Sequence, residues 1–143
     1  MPTAMVGDSP GRADGAIVVD ASVVVDVLTM PSARHLRAAI AQRRLHAPAL
    51  IDYEVLSAVR GLVRSGHLDQ VRAGEALADY SDLPIITSPG DADQRARIWS
   101  MRHNLTSYDG AYVALAARIE RPLWTRDAKV VAGAGGFAQV VLV

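Results

Sequence analysis

Short apolar runs alternate with amphipathic stretches from residue 16 to the end of the chain. Ala16-Ile17-Val18-Val19 is a continuous apolar run of the kind a buried parallel strand carries. Leu45 to Ala47, Pro84 to Thr87, Pro122 to Thr125 and Gln139 to Val143 are further strand candidates, with the 84–87 run expected to be buried. Between them the apolar residues recur at helical spacing. Ser22 is the expected cap of a short helix over Val23 to Leu28, and Ser32 of one reaching about Arg43. Further helices are expected over Leu50 to Arg64, Asp69 to Leu83, Asp91 to His103 and Thr106 to Glu120. A last short helix, Ala128 to Ala132, should be stopped by Gly133, Gly135 and Gly136. Strands that alternate with helices imply a parallel sheet covered on both faces. In such sheets ligands gather outside the carboxyl ends of the strands.

That rule draws attention to four acids. Asp20 directly follows the first strand, and Asp127 lies just past Leu123-Trp124-Thr125. Asp109 opens a helix, three residues after Thr106. Glu54 sits at the edge of the buried stripe formed by Ile51, Val55, Val59 and Leu62, beside the small residues Ser57, Ala58 and Gly61. Each acid also has a structural role open to it. Asp20 and Asp127 could cap helices, Asp109 could close a capping box with Thr106, and Glu54 could pair with Arg60 or Arg64. Taken together, four carboxylates that a parallel sheet could gather would repel one another without cations. Hard divalent ions such as Mg²⁺ or Mn²⁺ prefer oxygen ligands, and two of them can activate water and stabilise a leaving oxygen in phosphodiester cleavage.

Composition narrows the chemistry. The 143 residues suit one domain, with no repeats and no dividing linker. Residues 1–15 hold three glycines, two prolines and two aspartates without periodicity. They are expected to form a flexible extension before a domain spanning 16–143. Cysteine is absent, and the four histidines at 35, 46, 67 and 103 lack zinc-ligand spacing. Any metal would therefore be held by carboxylates. Zero formal net charge argues against bulk electrostatic coating of nucleic acid. Lys129 is the only lysine, so the cations are almost all arginine. No apolar run approaches membrane-spanning length and the N-terminus lacks the pattern of a signal peptide, so a cytoplasmic protein is expected.

Four segments together resemble the PIN-domain family, in particular the VapC-type ribonuclease toxins of VapBC toxin–antitoxin systems. They are Val18-Val19-Asp20-Ala21-Ser22, Tyr53-Glu54-Val55-Leu56, Ser107 to Ala116, and Leu123-Trp124-Thr125-Arg126-Asp127. The resemblance implies a three-layer α/β/α sandwich with a central parallel sheet. It implies an endoribonuclease dependent on Mg²⁺ or Mn²⁺, with Asp20, Glu54, Asp109 and Asp127 as the catalytic, metal-holding quartet. Ser22 and Thr125 match the family's small hydroxyl positions. A cognate VapB-type antitoxin and a homodimer are implied as well. Arg60 and Arg126, near the acids in sequence, are candidates for contact with RNA. The departures are the N-terminal extension and Gly110, where alanine is commoner.

Single positions argue against other readings. A PIN-like module that binds RNA or protein without cutting should have lost an acid, and none is missing. A haloacid-dehalogenase phosphatase needs a second aspartate two residues after the first, where Ser22 stands. A response-regulator receiver needs a lysine after a late strand, whereas Lys129 falls on a helix.

Overall fold

The computed structural model describes residues 15–143. The expectation for the N-terminal extension therefore lies, Gly15 apart, outside the described residues. The first apolar run forms β1 (Ile17–Val19), all three residues fully buried at the centre of the sheet. Its neighbours are β2 (Leu45–Pro48) on one side and β4 (Leu123–Thr125) on the other. Strands β3 (Ile85–Ser88) and β5 (Val140–Leu142) close the edges. The order is β3-β2-β1-β4-β5, with every pairing parallel. A helix-containing connection separates consecutive strands, as parallel pairing requires. One group of helices is α1 (Ala21–Thr29), α2 (Arg34–Ala41), α3 (Ile51–Arg64) and α4 (Gln70–Asp82). Helix α1 packs against the other three. The second group is α5 (Ala92–Ser100), α6 (Ser107–Ile119) and α7 (Ala128–Ala134), with α6 lying across β1, β2 and β4. The expected α/β sandwich is the observed one.

The core follows the sequence periodicity. Val23, Val24, Val27 and Leu28 bury the inner face of α1, and Tyr112 to Ala116 make α6 almost wholly internal. Two arginines finish α1 from outside: Arg37 donates to the Val27 carbonyl and Arg72 to that of Leu28, at 2.8 Å for the latter. Helix carboxyl ends carry unpaired carbonyls and a partial negative charge, so guanidinium groups suit them. Part of the arginine content is thus structural.

Four local expectations are corrected. Ser22 does not cap α1, which begins two residues earlier than expected, at Ala21, with Asp20 in the extended cap position. Ser32 does not cap a helix either, because Pro31 sets off a single 3₁₀ turn, Pro31–Ala33, before α2. The 84–87 run is an edge strand, not a buried one, and Ile86 is 48% exposed. Gly133 lies inside α7 and is no stop signal. A Cβ there would stand 2.4 Å from Leu105 Cδ2 and 2.6 Å from the Asn104 carbonyl. The stop is Gly135, whose φ of 55° suits glycine. Gly133→Ala should therefore overpack the contact of α7 with the loop before α6. We expect a loss of about 1–3 kcal/mol, read from a urea titration.

Candidate active site

Parallel register decides where the acids fall. Val19 pairs with Trp124, so the residues that follow, Asp20 and Thr125, emerge side by side at the carboxyl ends of β1 and β4. The Asp20 backbone N–H is fixed to the Trp124 carbonyl at 3.0 Å. Asp20 is only 7% exposed, and its Oδ2 accepts two hydroxyl bonds, from Ser22 at 2.8 Å and Thr125 at 2.7 Å. Each hydroxyl in turn accepts from the loop after β4. The Asp127 N–H donates to Thr125 Oγ1 at 3.0 Å and the Arg126 N–H to Ser22 Oγ at 3.1 Å. Ser22 and Thr125 are thus bridges that lock the Asp20 carboxylate to the loop carrying Asp127. Asp127 also caps α7 through a 2.9 Å bond from the Lys129 N–H. Thr106 caps α6 by accepting from the Asp109 N–H at 3.1 Å.

Asp20, Glu54, Asp109 and Asp127 line one open cleft of about 350 Å³, together with Ser22, Asp26, Ala58 and Arg126. The structure thus brings together all four acids that the sequence singled out, with both hydroxyl positions beside them. Burial raises the pKa of Glu54, and the charges of Asp20 and Asp109 push it the same way, while the nearby Tyr112 hydroxyl opposes them. Burial likewise raises that of Asp109, helped by Asp20 and Asp127. Glu54 Oε1 and the Tyr112 hydroxyl are both buried without a hydrogen bond of good geometry among the described residues. Neither Arg60 nor Arg64 forms an ion pair with Glu54 among the described residues, so the pairing that would have made this glutamate structural is not made.

Arg126 lines the cleft but its guanidinium is occupied. It donates to Asp26 Oδ2 at 2.8 Å and to the Val143 carbonyl at 2.8 Å. Arg60 is exposed and stands outside the cleft lining. Asp26 and Tyr112 escaped the sequence reading. Asp26 is the single charge in the apolar run of α1, six residues after Asp20, and Tyr112 lies one helical turn after Asp109. Gly110 is not idle either: it is buried, and a Cβ there would stand 3.1 Å from Ile98 Cγ2, so its absence lets α5 close on α6.

The donor set fits a hard divalent cation. The acids do not converge on one point, since among the described residues no three His, Cys, Asp or Glu groups stand in metal-holding geometry. Yet two carboxyls whose ionisation is opposed by burial and by the neighbouring acids are what a cation would relieve. Thr125→Val keeps the shape of the buried threonine but removes its bond to Asp20 and its acceptor for Asp127. We expect it to cost about 1–3 kcal/mol in a denaturant titration.

A parallel sheet with acids gathered past β1 and β4 places the protein in the class of α/β folds that carry their site at the carboxyl ends of the strands. The particular family follows from comparison: the chain matches the PIN domain over residues 17–134, and it belongs to that family. It is 37% identical to ribonuclease VapC1 of Mycobacterium tuberculosis over 128 residues, 88% of this chain and 96% of that protein. Identity to ribonuclease VapC3 of the same organism is also 37%, covering 85% of this chain and 90% of the relative. Among solved structures, PAE2754 from Pyrobaculum aerophilum superposes with a TM-score of 0.67 at 25% identity, covering 92% of each chain.

Proposed function

We propose that the protein is a metal-dependent endoribonuclease toxin of the VapC type. The observation that carries the reading is the cleft at the carboxyl ends of β1 and β4, lined by Asp20, Glu54, Asp109 and Asp127. The names of its relatives, ribonucleases VapC1 and VapC3, give the reaction class. In this proposal Asp20 and Asp109 hold the principal divalent cation, Mg²⁺ or Mn²⁺, with Glu54 and Asp127 completing the site. When bound, the cation supplies charge for the phosphate and makes water a better nucleophile. The chain's own contribution is placement. Ser22 and Thr125 fix the rotamer of Asp20, α6 presents Asp109 from its first turn, and α3 carries Glu54 in from the side.

The remaining parts of the reading are of the same kind. A single nuclease domain spans 16–143, a VapB-type antitoxin restrains it, and it works as a homodimer in the cytoplasm. No helix among the described residues is long and apolar enough to cross a membrane. An acid-lined cleft also suits an inhibitor that offers a basic side chain. The test is incubation of total RNA with the purified protein in Mg²⁺, Mn²⁺ or EDTA. Discrete fragments that need the metal are expected. Intact RNA under every condition, from protein with a native circular dichroism spectrum, would overturn the reading.

A further inference from the structure

Beside the acid cleft lies a second hollow of about 320 Å³, at the carboxyl ends of β2 and β3 between α5 and the start of α6. Its walls include Pro48, Pro89, Ile98, Tyr108 and Leu115, with Ser88, Ser107 and Gln94 as polar side chains, and of these three Gln94 is the buried one. We propose that this pocket receives an unpaired base of the RNA, and that the Gln94 amide reads the edge of that base. The proposal rests on the ribonuclease reading of the neighbouring cleft.

Gln94 is the reason to look for a ligand. It is 93% buried, and its Oε1 has no hydrogen-bond partner among the described residues. A local role was open to it. Asp91 caps α5 by accepting from the Gln94 N–H at 2.9 Å, and Gln94 is the third helical residue. In a closed capping box its side chain would reach back to the Asp91 N–H. It does not, so a buried acceptor is left unpaired, a costly state that folded proteins mostly avoid. A carboxamide carries a donor and an acceptor side by side, as base edges do. Unpaired RNA bases are read by such groups once their faces lie against apolar or aromatic walls. The volume falls at the small end of ligand pockets and suits one ring system.

Continuity with the acids selects RNA over other occupants. Glu54 lines both the acid cleft and a shallow trough with Leu50, Tyr53, Ser57 and Tyr108. Leu50 and Tyr108 then line both the trough and the pocket. Tyr53 and Tyr108 are 74% and 63% exposed. Exposed aromatics beside a phosphate site are stacking platforms for single strands. A strand with one phosphate among the acids would lay its next bases along these rings and seat one of them at Gln94.

The experiment is cleavage of a randomised single-stranded RNA pool, with fragment ends sequenced, by the wild type, Gln94→Leu and Tyr108→Ala. One base should be enriched at a fixed offset from the cut. Gln94→Leu should flatten that enrichment by about tenfold, the scale of one lost base-reading contact. Its melting temperature should not fall, because the orphan acceptor is gone. Exposed Tyr108 can be truncated without harm to the fold, and Tyr108→Ala should weaken the same preference. Unchanged preference in both variants, or a wild type that cuts without base preference, overturns the proposal. So does a switch from dimer to monomer in either variant with preference retained, since the pocket would then be a seat for a second copy. If the wild type cuts nothing, the ribonuclease reading fails separately. The pocket is then judged by titrating the metal-free protein with the four uncharged nucleosides. A shift of the Gln94 side-chain amide resonances supports a base site, and their immobility overturns it.

Discussion

Asp20→Asn should reduce RNA cleavage by about 10³-fold or more while leaving the fold and its stability nearly unchanged. The structure separates those two effects. Asp20 Oδ2 is the structural atom, holding the hydroxyls of Ser22 and Thr125. An asparagine placed with its carbonyl oxygen at that position keeps both bonds, and through them the bonds from the Arg126 and Asp127 N–H groups. What changes is the rest of the group. A carboxylate facing Glu54, Asp109 and Asp127 across the cleft becomes a neutral amide that cannot serve as a hard-cation ligand of comparable strength. Loss of its charge also relieves Glu54 and Asp109, whose ionisation Asp20 opposes. The melting temperature of metal-free protein should then hold or rise. The check is gel analysis of RNA digests beside a thermal melt of the same preparations. Retained cleavage would remove Asp20 from the catalytic set. A collapsed melt would mean that the hydroxyl bridges, not the charge, are what the residue supplies.

The gathering of the acids was legible in the sequence because two of them follow strands that pair in register. An apolar triplet ending in aspartate, and another ending in threonine with an aspartate two residues on, place their polar ends together once both strands are central and parallel. Glu54 was legible for a different reason: its helix has a clear buried stripe, and Ile51, Val55 and Val59 are buried as the spacing requires. What the sequence hid was tertiary in origin. Strand order is not written in apolar content, so the run at 84–87 reads as buried although β3 is an edge. Gly133 looks like punctuation until Leu105 and Asn104 are brought against it. Ser22 looks like a helix cap because serine before an apolar run is one local solution. Its hydroxyl instead bonds to Asp20 and to the Arg126 N–H, 104 residues away along the chain. Arg126, which reads as a cation for phosphate, is held by Asp26 and the Val143 carbonyl. Gln94 has the sequence position of a capping-box residue, and only the packing of α5 against α6 shows that it is not used as one.

The second large effect concerns stability, and its sign follows from the same repulsion. Glu54 and Asp109 hold their protons in the folded state to higher pH than the ordinary values of 4.5 and 3.8. Below about pH 3 these groups are largely protonated, folded or unfolded, and impose no penalty. As pH rises the unfolded chain ionises first, so the native state binds more protons and stability falls. The decline runs from the ordinary carboxylate range up through the raised folded values, above which the penalty is complete. Other carboxyls act in the opposite direction. The Gln94 N–H and Arg118 lower the pKa of Asp91, so its contribution is lost as acid is added. The quantity to measure is therefore the difference between wild type and Glu54→Gln, each metal-free, from pH 3.5 to 8. The variant should gain on the wild type as pH rises and stay ahead at neutrality. Mg²⁺ or Mn²⁺ should reverse the order. At 100 times its Kd a cation adds about 2.7 kcal/mol by mass action, which for a chain of this size raises Tm by roughly 5–10 °C. That gain should be large in the wild type and mostly lost in Glu54→Gln. A wild-type Tm indifferent to both cations at pH 7.5, with no pH-dependent gap between the two proteins, would mean that the acids neither repel one another nor share an ion.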